Sequence, residues 1–126
     1  MNVAHTHSPG FIALVRDAKT RVREISIPDY WKRAQAGEAF ILVDTREDRE
    51  WEEFRIRGAV HLGKGVIERD IEERIPDRST TLICYCGGGY RSALVCDSLQ
   101  KMGYSNAISL AGGIRGWMAE GLPVEE

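Results

Sequence analysis

Residues 81–92, TLICYCGGGYRS, join an apolar run to a cysteine, three glycines and the beginning of a helical pattern. The apolar run predicts a buried strand that ends at Tyr85. Residues 91–102 carry apolar side chains at helical spacing, and Gly103 is a typical residue at the end of a helix. A buried strand that turns directly into a helix is the building unit of α/β proteins. The stretch therefore predicts the α/β fold class.

The alternation of helix and strand continues on both sides of this unit. Helices are predicted at residues 9–22, 28–37, 46–54, 66–75 and 112–117, and strands at residues 24–26, 39–43, 59–62 and 106–110. Gly121 and Pro123 end the predicted structure. The strands are apolar almost throughout, which indicates a parallel sheet covered by helices on both faces. We therefore predict a polar tail with an amphipathic helix over residues 1–22, followed by one α/β domain over residues 23–126.

The composition is that of an ordinary globular domain, and it excludes several classes of function. The chain has 126 residues and a formal net charge of −2, which gives no electrostatic basis for binding nucleic acid. No apolar stretch approaches the roughly 20 residues of a membrane-spanning helix, and residues 1–10 do not resemble a secretory signal. Three cysteines cannot all pair, which favours a reducing compartment. We expect a cytoplasmic protein with no nucleic-acid or membrane partner.

Cys86 occupies the position at which this pattern makes a cysteine reactive. It lies between a strand and a helix N-terminus, where unpaired N–H groups and the helix dipole favour a thiolate. A thiolate is a nucleophile at neutral pH, and Arg91 adds a fixed positive charge. The glycines leave the turn without Cβ atoms, so its backbone can surround an anion. We assign catalytic roles to Cys86 and Arg91, and substrate-binding roles to Gly87, Gly88, Gly89, Tyr90 and Ser92.

The other polar residues at strand ends are interpreted more conservatively. Ligands of parallel α/β sheets bind beyond the carboxyl ends of the strands, where Asp44, His61 and Gly112 are also expected. His61 is interpreted as structural. Cys84 and Cys96 fall inside the predicted strand and helix, where a free cysteine behaves as a small core residue. Cys86 is therefore the one cysteine to which chemistry is assigned.

Several motifs, taken in chain order, resemble those of the single-domain rhodaneses, a family of sulfurtransferases. They are LVDTRE at residues 42–47, the loop at 86–92 and AGGIRGW at 111–117, with GLPV at 121–124. The resemblance covers roughly residues 24–124. It implies a three-layer α/β/α fold with a central five-stranded parallel sheet. It also implies that Asp44 and Arg46 are supporting residues, which hold the loop backbone and neighbouring turns by hydrogen bonds and ion pairs.

The resemblance implies a reaction in two halves that proceeds through a Cys86 persulfide. Cys86 takes the outer sulfur of a small anionic donor such as thiosulfate and passes it to cyanide, a small thiol or a thiol protein. No cofactor and no metal are expected. His5 and His7 could chelate an ion loosely, but a histidine pair without a carboxylate or thiol nearby is a poor metal site.

Two alternatives remain open, and one part of the sequence departs from the family. Some related domains serve as non-enzymatic sulfur carriers or protein-binding modules. Cysteine phosphatases also hold a thiolate in an anion-binding loop, but Cys86 and Arg91 are one residue closer than the corresponding pair in those enzymes. FRIRGA at residues 54–59 stands where the family usually has histidine and proline. Arg55 and Arg57 are interpreted as solvated surface, with attraction of an anionic donor or an acidic partner as the alternative.

Overall fold

The computed structural model describes residues 7–126. His5, which the sequence analysis considered together with His7 as a metal-binding pair, lies outside the described residues. Within them the chain forms seven strands: β1 (Arg23–Ile25), β2 (Ile41–Asp44), β3 (Arg55–Ile56), β4 (Val60–His61), β5 (Leu82–Tyr85), β6 (Ala107–Leu110) and β7 (Val124–Glu125). Five of them form a parallel sheet in the order β1-β6-β5-β2-β4. The predicted five-stranded parallel sheet is thereby confirmed.

β5 lies at the centre of the sheet, between β6 and β2. Ile83 is in register with Leu42 on one side and with Ile108 on the other. All four residues of β5 are buried, as its unbroken apolar sequence requires. Since parallel strands end at the same edge, the residue after β5 lies at the middle of that edge. That residue is Cys86.

Six helices cover the sheet: α1 (Pro9–Lys19), α2 (Ile27–Gln35), α3 (Asp48–Glu53), α4 (Ile67–Arg74), α5 (Tyr90–Lys101) and α6 (Gly113–Ala119). Local sequence signals explain several of their boundaries. α1 and α2 both have proline in the first turn, and the Ser26 hydroxyl accepts a hydrogen bond from the Asp29 N–H. Within residues 7–126, none of these helices is long and apolar enough to cross a membrane.

Alternate residues of β5 enter two separate hydrophobic clusters. Leu82 and Cys84 pack with α4 and α5, whereas Ile83 and Tyr85 pack with α2 and α6. A strand directs successive side chains to opposite faces, so the two clusters lie on the two sides of the sheet. The structure therefore has the three α/β/α layers that the resemblance implies.

α1 packs against α5 and buries Val15 and Ala18. It is shorter than predicted, since the helix ends at Lys19 and not at Val22. The N–H groups of Arg21 and Val22 both reach the Ala18 carbonyl and turn the chain toward β1. The buried Val22 had extended the apolar pattern past the end of the helix.

The structure also contains a ribbon that the sequence did not predict. β3 and β7 pair antiparallel, with Ile56 opposite Val124, so Gly121 and Pro123 do not end the ordered chain. Arg57 lies beside the carboxylate of Glu125, at 3.8 Å. Each strand is only two residues long, too short for a period-two pattern to be detected. The pairing depends on contacts between residues distant in sequence.

Candidate active site

Cys86 is almost completely buried, with 1% of its surface exposed. Its Sγ accepts hydrogen bonds from the backbone N–H groups of Gly89, at 3.1 Å, and Ser92, at 3.4 Å. The Ser92 hydroxyl lies 3.5 Å from the sulfur and 2.8 Å from the Ser109 hydroxyl. The two N–H groups can stabilise negative charge on the sulfur or on an atom attached to it. The structure thus directs backbone N–H groups of the predicted loop at the Cys86 sulfur.

Gly89 shows why the loop needs a glycine next to the helix. It directly precedes α5, as its N-cap, with a φ of +97°, a conformation that residues with a side chain rarely adopt. A Cβ there would also lie 3.3 Å from the backbone nitrogen of Gly112. This turn directs the Gly89 N–H back at the sulfur and lets α5 begin at Tyr90.

The beginning of α6 holds the loop from the other side. The N–H groups of Ile114 and Arg115 donate to the carbonyl oxygens of Cys86 and Gly87, at 2.9 and 3.0 Å. This close approach requires Gly113, which has a φ of +57° and whose Cβ would lie 2.5 Å from the Cys86 oxygen. The second glycine of the AGGIRGW motif therefore fixes the position of the loop backbone.

Arg91 does not stand alone beside the sulfur. Its guanidinium makes two hydrogen bonds to the Glu50 carboxylate, at 2.8 and 3.2 Å. The Glu50 hydrogen bonds and the nearby Cys86 sulfur raise the pKa of Arg91, although burial opposes them. The same bonds from Arg91, with a backbone hydrogen bond from Glu47, lower the pKa of Glu50 to about 2. Much of the Arg91 charge is therefore balanced by a carboxylate that we did not predict.

Arg115 is a second cation at the loop, and its role was also not predicted. Its guanidinium lies against the backbone of Gly87 and Gly88, where Cβ atoms would be 2.7 and 2.5 Å from its nitrogens. Among the residues that the structure describes, Arg115 has no ion-pair partner. The absence of side chains at these two glycines thus makes room for the Arg115 guanidinium.

Asp44 and Arg46 form a buried ion pair, with Arg46 Nη2 2.8 Å from Asp44 Oδ2. Asp44 also accepts a hydrogen bond from the Tyr85 hydroxyl, and Arg46 donates to the Phe54 carbonyl. Burial, reinforced by the Asp44 charge, raises the pKa of Tyr85. Neither side chain hydrogen-bonds residues 86–92, in contrast to the expectation that they hold the loop backbone. Their ion pair and hydrogen bonds hold neighbouring segments, which the same expectation included: the end of β5 and the turn before β3.

The remaining candidate residues have contacts of their own. His61 stacks on Trp51, and its Nε2 lies 2.8 Å from the Arg46 carbonyl oxygen. The Arg55 guanidinium also lies over the Trp51 ring, 4.6 Å from its centroid. A hydrogen bond with Cys84 and burial raise the pKa of Cys96, which keeps it a thiol. Among the described residues, His61, Arg55 and Cys96 are not part of the lining of the cavity at Cys86.

A cavity of about 540 Å³ opens above Cys86. Two of its lining residues were not predicted to belong to the site: Phe11 lies in α1, and His7 lies two residues before that helix. Only helical periodicity marked Phe11, and that pattern predicts burial but not contact with a site. Among residues 7–126, the cavity is lined by His7, Phe11, Cys86, Gly88, Tyr90, Arg91, Gly112 and Arg115.

Comparison with known sequences identifies relatives along most of this chain. The family model for the rhodanese-like domain matches residues 26–120. YtwF of Bacillus subtilis, provisionally named a sulfurtransferase, is 33% identical over 81% of this chain and 96% of its own length. The thiosulfate sulfurtransferase GlpE of Haemophilus influenzae is 31% identical over 82% of this chain and 94% of its own. The chain spans about half of YrkF of Bacillus subtilis, provisionally named a sulfur carrier protein, at 28% identity over 76% of this chain.

A solved structure resembles the chain along nearly its whole length. Protein RPA3614 of Rhodopseudomonas palustris, described as a possible tyrosine phosphatase, has a TM-score of 0.83 and 26% sequence identity. The match covers 98% of this chain and all of the other. With the family match and the sulfur-centred loop, these similarities establish that the chain belongs to the rhodanese-like domain family.

Proposed function

We propose that this protein is a sulfurtransferase that carries a sulfane sulfur as a persulfide on Cys86. One observation carries the proposal: the sulfur is buried at the end of the central strand and receives two backbone N–H hydrogen bonds, with Arg91 beside it. Such donors stabilise a thiolate, and then a persulfide anion, without any rearrangement during the reaction. Sulfurtransferase and sulfur-carrier names among the relatives support the same reaction class.

In the first half-reaction the Cys86 thiolate attacks the outer sulfur of an anionic donor, with thiosulfate as the simplest example. A bond forms between the cysteine sulfur and the outer sulfur. The sulfur–sulfur bond of thiosulfate breaks, and its electron pair leaves with sulfite. The persulfide keeps one negative charge, which the N–H groups of Gly89 and Ser92 are placed to receive. Arg91 offsets the approaching charge of the donor.

In the second half-reaction a nucleophile attacks the terminal sulfur and restores the thiolate. Cyanide gives thiocyanate, and a small thiol or a thiol protein gives a new persulfide. The glycines at residues 87–89 leave the terminal sulfur accessible, and Tyr90 forms a wall beside it. We assign the transfer to residues 23–126 and to the reducing environment of the cytoplasm, where Cys86 stays a free thiol.

The decisive experiment is intact-mass spectrometry after incubation with thiosulfate. We expect one added sulfur atom on the wild-type protein, which cyanide removes, and none on Cys86→Ser. Cys96→Ala is the matched control, because that cysteine is equally buried but lies in the core, and it should still gain one sulfur. Addition of sulfur to Cys86→Ser, or none to the wild type with any sulfane donor, would overturn the proposal.

Phosphatase activity is the second candidate, favoured by the description of the Rhodopseudomonas palustris protein. Its loop would have to hold a tetrahedral phosphoryl group, whereas Cys86 and Arg91 are one residue closer in sequence than the corresponding pair of cysteine phosphatases, which makes this loop smaller. Hydrolysis of p-nitrophenyl phosphate separates the two reactions. We expect no Cys86-dependent hydrolysis under conditions where thiosulfate yields the persulfide.

A further inference from the structure

The cavity above Cys86 is much larger than an inorganic donor requires. Its volume of about 540 Å³ is in the range of pockets that hold organic ligands. A thiosulfate ion at the sulfur would occupy only the bottom of this space. The outer part is therefore available to a larger molecule.

Three aromatic rings form one wall of the outer cavity. The ring of His7 lies 4.6 Å from that of Tyr90 and 5.2 Å from that of Phe11, and the Phe11 and Tyr90 centroids are 6.1 Å apart. We call these three residues the aromatic wall. Because α1 is anchored on α5 by Val15 and Ala18, the wall has a fixed position relative to the sulfur. Two of its three residues lie outside the stretch matched by the family model, residues 26–120.

The charge of the lining selects the kind of molecule that fits. Arg115 and Arg91 both line the cavity, and its lining, within the described residues, includes no aspartate or glutamate. Glu50 already balances Arg91, whereas Arg115 has no ion-pair partner among residues 7–126. An anionic group near Arg115 therefore gains a charge-assisted hydrogen bond that no protein carboxylate competes for. An aromatic or aliphatic group can at the same time cover the wall.

We propose that the aromatic wall and Arg115 form a subsite for organic sulfur donors that combine an anionic head with an apolar body. This inference rests on the proposed sulfurtransferase function and adds its substrate class. An organic thiosulfonate has both parts: the sulfonyl oxygens face Arg115, and the organic group lies on Phe11, Tyr90 and His7. The outer sulfur then points down to Cys86.

The reaction with such a donor balances in the same way as that with thiosulfate. The Cys86 thiolate bonds to the outer sulfur of benzenethiosulfonate and forms the persulfide anion. The bond between the two donor sulfurs breaks, and its electron pair leaves on benzenesulfinate. One negative charge enters with each reactant and one remains on each product. No oxidant, reductant or metal is required.

The test compares benzenethiosulfonate with methanethiosulfonate, which has the same reacting atoms but almost no body. For wild-type protein we expect kcat/KM for persulfide formation to favour the benzene compound about 10-fold, after correction for their uncatalysed reactivity. Phe11→Ala and His7→Ala should each bring this ratio closer to one. Leu14→Ala is the matched control, since Leu14 lies on the same helix but is 56% exposed and outside the cavity, and it should keep the wild-type ratio.

Binding to a protein that cannot react gives an independent measurement. Calorimetry with benzenesulfinate and Cys86→Ser should detect binding that weakens at least about 5-fold when Phe11→Ala or Arg115→Gln is added. Two results would overturn the subsite, provided that thiosulfate still yields the persulfide. The first is a wild-type ratio of the two kcat/KM values near one. The second is a Phe11→Ala variant with the wild-type ratio and no change in the affinity for benzenesulfinate. Absence of persulfide with all three donors would instead overturn the proposed function itself.

Discussion

The inner and outer regions of the site are built in different ways. We define the inner region as the backbone of residues 86–92 and of the first turn of α6, and the outer region as the side chains of the aromatic wall and of Arg115. Backbone hydrogen bonds and glycines hold the inner region, whereas the outer region consists of side chains that approach from separate elements. The difference separates the two tasks of the site. The inner region supports the chemistry of one sulfur atom, and the outer region determines which molecule delivers it.

This division predicts different consequences of mutation. Changes beneath or within the inner region should affect stability and reaction together, because the same backbone bonds serve both. Changes in the outer region should alter the choice of donor with little loss of stability, as proposed for Phe11 and His7. The variants that follow test the inner half of this comparison, beginning with the largest expected effect.

Asp44→Ala should cause the largest loss of stability. It leaves Arg46 charged and unpaired where only 4% of its side chain is exposed, and it removes the partner of the Tyr85 hydroxyl. Loss of one member of a buried ion pair typically costs about 3–5 kcal/mol in the free energy of unfolding. Urea denaturation measures it. The control, Asp70→Ala, breaks a pair with Arg69 whose side chain is 74% exposed, and should leave the midpoint near that of the wild type. Equal midpoints for the two variants would show that the buried pair does not stabilise the end of β5.

Gly113→Ala should slow persulfide formation in addition to lowering the stability of the protein. Its Cβ would lie 2.5 Å from the Cys86 oxygen, so α6 must move away from the loop it holds. We expect about 2–3 kcal/mol of destabilisation and at least about 10-fold slower persulfide formation.

Gly121→Ala is the control for the backbone conformation alone. Gly121 also has a positive φ, +73°, but nothing lies within 4 Å of its Cβ position. This variant should lose about 1–2 kcal/mol, the cost of the left-handed conformation, and keep the wild-type rate of persulfide formation. If Gly113→Ala reacts as fast as Gly121→Ala, the contact between α6 and the loop has no role in the reaction.

The inner region was largely predictable from the sequence because its signals are local. A strand, glycines and a helix follow one another within residues 81–102, and each has a characteristic pattern. The sheet followed from the same kind of signal, repeated along the chain. The assigned roles of Cys86, Arg91 and the loop glycines stay predictions until the variants are measured, although the structure brings these residues together.

The rest of the site was not predictable, since it depends on which distant elements meet. Glu50 is one of several acidic residues on a short charged helix, and nothing local distinguishes it as the partner of Arg91. Arg115 was visible within a motif, but its guanidinium reaches the loop only because Gly113 lets α6 approach. Phe11 and the β3–β7 ribbon similarly depend on tertiary packing. Sequence periodicity identifies a buried face, but not the element that will cover it.

The smallest expected effect concerns Glu50, which connects the inner region to α3. Glu50→Gln keeps an oxygen that can accept from the Glu47 N–H and removes the charge that pairs with Arg91. A quarter of the Glu50 side chain is exposed, so solvent screening limits the loss at pH 7 to about 1 kcal/mol in the free energy of unfolding. Urea denaturation at several pH values measures the gap between this variant and the wild type.

The pH dependence of that gap identifies its origin. Folding lowers the pKa of Glu50 from 4.5 to about 2, mainly through the hydrogen bonds from Arg91. The carboxylate therefore contributes its full stability above about pH 4.5, and the contribution disappears as the pH falls toward 2. We expect the gap between wild type and Glu50→Gln to be constant from pH 7 to 5 and to close progressively below that range. Glu52→Gln, an exposed change on the same helix, should show little difference from the wild type at any pH. A gap for Glu50→Gln that persists unchanged at pH 3 would mean that the ion pair with Arg91 is not its source.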